Sequence, residues 1–367
     1  MNTMNNYLFF VSKPYSFEIL RPLQQAILSR GGQVRWFLSG VSKNLLQANE
    51  ICLETVEDVK HFNPKAVFAP GNWVPDFFPG IKVEIYHGFG IEKKGHFKIR
   101  GFFDLYCTHG PAGTRVVEKL SRQYGYFHVK ETGWPKVDPL FNQSLFNQSQ
   151  FNQSLPNPSL HAPQSGEPTK QALSASKPLI LYAPTFSVSL TSAPALKNEI
   201  KRLASQNKWH WVIKFHPRMD QACVNEYKAI QNDNLTIADT EAILPLLRAA
   251  DVLVSDTSSV VAEFLMLGKP AITYKPRKPG PYLIMISEPT ALKDALIQAL
   301  NPPASLIAQA NHFIEEMHPY RDGKSSERVL NATEDFIQNH AHQLKAKPLN
   351  LWRKLKARHH LRYYHLR

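Results

Sequence analysis

The sequence predicts an α/β protein made of two doubly wound parallel-sheet domains. Short apolar runs alternate with helix-length segments in both halves of the 367-residue chain, and one low-complexity stretch separates the halves. The polar and basic residues suited to chemistry follow directly after the apolar runs, where a parallel sheet presents its ligand sites.

In the first half, residues 7–11 form an apolar run and residues 17–29 have helical spacing (Phe17, Leu20, Leu23, Ile27), closed by Gly31-Gly32. Strands follow at 34–38, 66–69, 82–86 and 104–108, and then a helix at 111–122. The opening run is only five residues long, lacks a basic flank and ends at Lys13-Pro14, so it reads as a first buried strand and not as a signal peptide. Residues 141–177 break the pattern with FNQSL-FNQSQ-FNQSL-PNPSL and a Ser/Pro/Gln-rich continuation. Such a composition buries too little apolar surface to offset chain entropy and predicts a disordered insertion. Alternation resumes with strands at 179–182, 209–215, 235–237, 252–255 and 271–274, and helices at 199–206, 242–249 and 259–267. The expected organisation is an N-terminal domain at 1–140, the insertion at 141–177, a C-terminal domain at 178–340 and a basic tail at 341–367. Two such domains place a ligand cleft between them.

Composition narrows the function. Hydrophobic residues make up 43%, and no stretch approaches the ~20 continuous apolar residues of a membrane span. Three cysteines (Cys52, Cys107, Cys223) without CxxC or Cys/His spacing support neither a disulfide framework nor zinc, and suit a cytoplasmic protein. The net charge of +13 attracts nucleic acid, anionic lipid or phosphorylated substrates without choosing among them. No acidic residue follows Asp335, so part of the excess lies in the tail; no common nucleic-acid module appears, and nucleic acid is not an expected partner. The tail mixes bases with Leu351, Trp352, Leu355, Tyr363 and Tyr364, which suits a peripheral contact with an anionic inner-membrane surface or a plain solvated terminus.

Four clusters carry the chemistry. His87-Gly88 ends one strand; the imidazole there has a pKa suited to removing a proton from a hydroxyl, and the Gly lets a ligand approach. Lys93-Lys94 shortly after adds charge to a cleft or is a surface pair. Lys214, His216 and Arg218 form a compact anion-binding set, with Pro217 fixing the chain as it leaves the sheet. Asp256, Thr257, Ser258 and Ser259 gather hydroxyls and backbone N–H groups before a helix carrying Glu263, a phosphate site beyond the needs of ordinary capping. Thr185 sits in a Tyr-Ala-Pro-Thr-Phe loop after another strand, and Arg328 follows Ser325 and Ser326, either of which is a candidate helix cap. No acidic metal cluster stands out and no cofactor is expected, although Asp256 leaves an auxiliary metal open.

In order, YHGFG, TGWPKVD, YAPTF, KFHP, SDTSS with EF..L.GKP, and DGKSSER resemble the CDP-glycerol glycerophosphotransferase family, which includes teichoic acid primases and polymerases. The resemblance implies a GT-B-like fold and transfer of glycerol phosphate from CDP-glycerol to a hydroxyl of a lipid-linked acceptor, with CMP released. It implies that His87 is the base, that His216 lies near the donor pyrophosphate, and that Ser258 and Ser259 bind that pyrophosphate. Phe89 replaces a small polar residue, Thr257 an aromatic one, and Ser187 stands where a basic residue is common. These departures put the substrate in question more than the reaction, and a nucleotide-sugar glycosyltransferase of the same fold is the alternative.

Overall fold

The computed structural model describes residues 5–89, 95–142, 145, 177–240 and 242–364. The expected insertion therefore lies almost wholly outside the described residues, as do Lys93, Lys94 and Arg367. The chain divides into two units, Met1–Leu145 with Glu315–Arg367, and Phe146–Ile314.

The first unit holds six parallel strands, β1 (Asn6–Val11), β2 (Gln33–Leu38), β3 (Ala66–Ala69), β4 (Ile81–Ile85), β5 (Leu105–Thr108) and β6 (His128–Glu131), in the order β2-β1-β3-β4-β5-β6. Four buried residues each in β3 and β5 show why the strands read as continuous apolar runs: helices and loops cover both sheet faces. Helix α1 (Ser16–Ser29) turns Phe17, Leu20, Leu23 and Ile27 inward, where Phe17 stacks on Trp36 at 5.3 Å. Trp36 satisfies its indole N–H on Gln24 Oε1 at 2.8 Å, so the large ring is buried without an orphaned donor. Helices α2 (Val56–Phe62), α3 (Pro111–Tyr124) and the short α4 (Asp138–Phe141) complete this first stretch.

The second unit holds β7 (Leu179–Tyr182), β8 (His210–Ile213), β9 (Leu235–Ile237), β10 (Val252–Ser255), β11 (Ala271–Tyr274) and β12 (Ile284–Ile286), parallel and ordered β12-β11-β10-β7-β8-β9. Its helices are α5 (Ala193–Ala204), α6 (Gln221–Lys228), α7 (Leu244–Ala249), α8 (Val260–Leu265) and α9 (Leu292–Leu300). Strand order reverses between β1 and β3 in the first sheet and between β7 and β10 in the second. At such a switch point neighbouring connections leave to opposite faces and open a crevice at the carboxyl ends. The expected pair of doubly wound sheets is thus present. Strands β6 and β12 escaped the sequence reading because neither is an extended apolar run: β6 is His-Val-Lys-Glu and β12 has only three residues.

After α10 (Ala304–Met317) the structure departs from the expected boundaries. Residues from Glu315 onward belong to the first unit and not to the second, so the domain expected at 178–340 ends at Ile314. The reason is a polar lock around helix α11 (Ser325–Asp335). Neither Ser325 nor Ser326 caps this helix; their backbone N–H groups donate to the two carboxylate oxygens of Asp138, at 2.8 and 2.7 Å. Gly133 adopts φ +80°, and a Cβ there would collide with Ser325 Oγ, so this approach requires glycine. The backbone N–H of Trp134 donates to Nε2 of His318, which is wholly buried; burial drops the His318 pKa to about 4.

The expected tail is part of the fold as well. Lys347 bridges to Asp104 at 2.6 Å and donates to the Phe102 carbonyl at 2.8 Å. Helix α12 (Leu351–His360) follows, with Ala357 buried and Lys354 and Arg358 each 3.8 Å from Asp76. Arg358 lies over Phe77 at 4.8 Å; Tyr363, 6% exposed, stacks on the same ring at 4.6 Å and accepts a hydrogen bond from Lys60. Long basic stems thus cover apolar surface that an aliphatic helix would otherwise cover. Among the described residues no helix is long and apolar enough to cross a membrane.

Candidate active site

In the first unit the carboxyl ends of β1, β3 and β4 converge on His87. The exposed ring lies two residues past β4 and stacks on Tyr15, which follows β1, at 5.2 Å and 29°. Its Nδ1 is 3.2 Å from the carbonyl of Pro70, the residue after β3. A carbonyl can only accept, so Nδ1 carries the proton, and in the neutral ring the basic lone pair sits on Nε2. His96 lies 6.1 Å from His87 edge-on. A Cβ placed on Gly88 would meet nothing within 4 Å, so the protein itself does not demand glycine there. Phe89 turns inward and packs edge-on against His109 and Trp134, both at 5.0 Å. His109 is buried, and burial holds its pKa well below the usual value; it is a core residue hydrogen-bonded to the Tyr86 carbonyl.

In the second unit the loops after β7 and β10 meet around Asp256, and the loop after β8 joins them through the contact of His216 with Phe186. This carboxylate is 2% exposed and accepts from the N–H groups of Thr185 (3.0 Å), Ser192 (2.9 Å) and Thr257 (2.7 Å), and from the Ser192 hydroxyl (2.9 Å). Both oxygens are engaged, so Asp256 ties the loops together and leaves the outward-facing groups to Thr257, Ser258 and Ser259. Glu263, 3% exposed, is likewise an interior residue. Ser258 Oγ accepts from the Val260 N–H at 3.4 Å, while Ser259 is exposed. The Thr257 hydroxyl accepts from the Arg277 N–H at 3.3 Å, which brings the basic loop after β11 to this turn.

His216 lies in the loop that follows strand β8, with the opposite proton arrangement. The Arg218 N–H donates to its Nδ1 at 3.1 Å, so the neutral ring carries its proton on Nε2. Partial burial lowers its pKa first, and the positive charges of Lys214 and Arg218 lower it further. At neutral pH the ring is an N–H donor. Phe186 braces it: the two rings are 4.4 Å apart, and the Arg218 guanidinium lies 4.6 Å from the other ring's centroid. Lys214 Nζ reaches the Phe215 carbonyl at 3.0 Å.

Of the residues expected from sequence, Thr185, Lys214, His216, Arg218, Thr257, Ser258 and Ser259 share the carboxyl edge of the second sheet. Arg328 does not belong to that unit. Its guanidinium forms a fork on Asp322 (2.8 Å twice), donates to the Thr132 carbonyl at 3.0 Å and lies 3.9 Å over Tyr320. That places Arg328 in the lock around α11. Tyr15, Pro70 and Ser192 are positioning groups the sequence reading missed, and Phe186 was singled out only as part of the Tyr-Ala-Pro-Thr-Phe loop. The available signal was place alone, since each lies in or beside a loop that follows a strand.

Residues 103–335 match the family described as CDP-Glycerol:Poly(glycerophosphate) glycerophosphotransferase. A teichoic acid glycerol-phosphate primase of Bacillus subtilis is 31% identical over 173 residues, 44% of this chain and 44% of that protein, so the match spans less than half of the relative's length. The wall teichoic acid polymerase TagF has a similar fold, with a TM-score of 0.65 at 14% identity over 91% of this chain and 89% of that one. A putative UDP-N-acetylglucosamine 2-epimerase of Listeria monocytogenes reaches 0.63 at 12% identity, covering 94% of this chain and 100% of that one. Likeness at those identities speaks for the fold alone, whereas the family match covers most of the chain, including the motifs at the second sheet's edge but not the segment that carries His87: the chain belongs to the CDP-glycerol:poly(glycerophosphate) glycerophosphotransferase family.

Proposed function

We propose that the protein transfers glycerol phosphate, or a related polyol phosphate, from a CDP-activated donor to a hydroxyl of a lipid-linked or surface-glycan acceptor. The reading rests on one histidine in each unit taken by itself: His87 with a basic Nε2 in the first, and His216 with a donating Nε2–H in the second. His87 Nε2 takes the acceptor's hydroxyl proton as the new O–P bond forms at the donor β-phosphorus. The bond from that phosphorus to the bridging oxygen breaks in line, and the electron pair leaves on CMP. His216, Lys214, Arg218 and the Thr257–Ser259 turn bind the pyrophosphate and stabilise the charge growing on the leaving group. Asp256 and Thr185 hold that turn in place.

The test is incubation with CDP-glycerol, CDP-ribitol and common nucleotide-sugars, with a crude lipid-glycan acceptor, measuring nucleotide release. CMP from a CDP-polyol, dependent on acceptor, is the expected result. A nucleoside diphosphate released from a nucleotide-sugar, with no CMP from the CDP-polyols, would replace this reading with glycosyl transfer.

A further inference from the structure

We propose that Arg277 is a further catalytic residue, gripping the transferring phosphoryl of the donor from the side of the second sheet opposite His216. The inference rests on the phosphotransfer reading and adds to its site a residue that lies outside every motif.

Strand order sets the geometry. All six strands of the second unit are parallel, so the loops after β8, β10 and β11 leave one edge of the sheet. β8 stands two places from β10 on one side, about 10 Å at ordinary strand spacing, and β11 is its neighbour on the other, about 5 Å away. The turn from Asp256 to Ser259 therefore lies between His216 and the loop that carries Arg277. A diphosphate along this edge turns the phosphoryl that leaves with the nucleotide toward His216 and the other toward Arg277.

The loop is built to hold a cation there. Residues 274–287 contain Lys275, Arg277 and Lys278 and no acidic residue. Three contacts pin the loop. The Lys275 N–H donates to the Ile286 carbonyl at 3.0 Å, the Arg277 N–H donates to the Thr257 hydroxyl at 3.3 Å, and Tyr282 stacks on Phe313 at 3.9 Å and 11°. Pro276 and Pro279 fix φ on either side of Arg277 and Lys278. Lys275 sits in the left-handed region at φ +42°, a conformation a lysine keeps only where the surroundings enforce it. The Arg277 backbone is thus in place before any ligand arrives, and binding has only the side chain to order.

Chemistry separates Arg277 from its neighbours. Lys275 folds its ammonium back over Tyr274, 5.2 Å from the ring centroid. Elsewhere in the unit Arg202 forks on Glu199, and Arg218 lies over Phe186. Arg277 is exposed, and among the described residues its guanidinium has no hydrogen bond or ion pair. A planar fork with free donors, beside a turn of hydroxyls and N–H groups, matches two oxygens of one phosphoryl. Such a contact neutralises charge on the equatorial oxygens while the new O–P bond forms and the bond to the leaving oxygen breaks.

Calorimetric binding of CDP and of CMP to the full chain isolates the contact, because CMP lacks the second phosphoryl. Wild type should bind CDP more tightly than CMP. Arg277→Ala should lower CDP affinity at least ~10-fold, with CMP affinity and Tm unchanged. Acceptor-dependent CMP release from CDP-glycerol should fall roughly 10²-fold in the same variant. Arg277→Lys should recover part of both losses, since the charge remains and the fork is gone. An unchanged CDP-to-CMP ratio in Arg277→Ala overturns the proposal. So does an equal loss in Lys275→Gln, which would reduce the effect to diffuse charge. UDP and UMP keep the two conclusions apart: a chain that distinguishes UDP from UMP and ignores the cytidine nucleotides refutes the CDP-polyol reading, and the same ratio still judges Arg277. A chain that binds none of the four overturns both.

Discussion

Two histidines at strand ends, His87 in the first unit and His216 in the second, look alike in sequence and differ by the position of one proton. The partner of Nδ1 makes the difference. A carbonyl at Pro70 draws the proton onto Nδ1 of His87, while a backbone N–H at Arg218 excludes it from Nδ1 of His216. The surroundings reinforce the split: His87 stacks on the neutral ring of Tyr15, whereas His216 is flanked by Lys214 and Arg218, which disfavour a second positive charge. Backbone geometry thus leaves one neutral ring with its lone pair on Nε2 and the other with its proton there.

The largest expected effect breaks the pair at His87. His87→Ala should lower turnover by roughly 10²–10⁴ with the fold intact, read as CMP release. His87→Gln should be equally damaged, because an amide cannot serve as a base; near-normal CMP release by either folded variant would remove His87 from the chemistry. At His216 the same two substitutions should diverge. His216→Ala should reduce turnover by roughly 10²–10³, the range seen for loss of one oxyanion donor, while His216→Gln keeps an N–H and recovers about tenfold of it. Equal loss in both would mean that the ring acts by titration. Two-bond ¹H–¹⁵N correlation spectra check the premise directly: above its pKa, His87 should show the Nδ1–H tautomer and His216 the Nε2–H tautomer.

A further experiment probes the lock, where no chemistry is expected. Asp138→Ala leaves two backbone donors of α11 without their partner and should cost about 1–3 kcal/mol in chemical denaturation. An unchanged midpoint would mean that water replaces the carboxylate. The last test is of pH dependence. His318 has a folded pKa near 4, below its unfolded value, so the unfolded chain binds more protons. Stability from this site is full above about pH 6.5 and is lost as pH falls toward about 4. His318→Gln should flatten that slope in a series of melts; an unchanged slope would place the acid sensitivity elsewhere.

Sequence reading located the strand ends well because a parallel strand buried on both faces is a short apolar run with a sharp end. Residues Lys214 to Arg218 and Asp256 to Ser259 were found in that way. It failed where the partner is distant in sequence. The cap of α11 comes from Asp138, 187 residues before Ser325, and no local capping rule reaches that far. Asp256 looked like a ligand because its neighbours carry hydroxyls, yet apart from the Thr257 N–H its partners are the N–H groups of Thr185 and Ser192 and the Ser192 hydroxyl, 71 and 64 residues upstream. Helix α12 was hidden for another reason: its inward stripe includes Lys354 and Arg358, whose methylene stems do the covering, so hydropathy saw only a basic tail.

The lock around Asp138 bears on the order in which the protein is made. The first unit takes its opening strands from the start of the chain and its closing residues, Ser325, Arg358 and Tyr363, from the other end. The second unit is continuous in sequence. During synthesis the second unit leaves the ribosome with all its strands, while the earlier-born first sheet still lacks α11 and α12. The first unit can therefore complete its packing only after the second has been made. Until Tyr363 has emerged, the Phe77 face of the first sheet is open to chaperones and to misassociation.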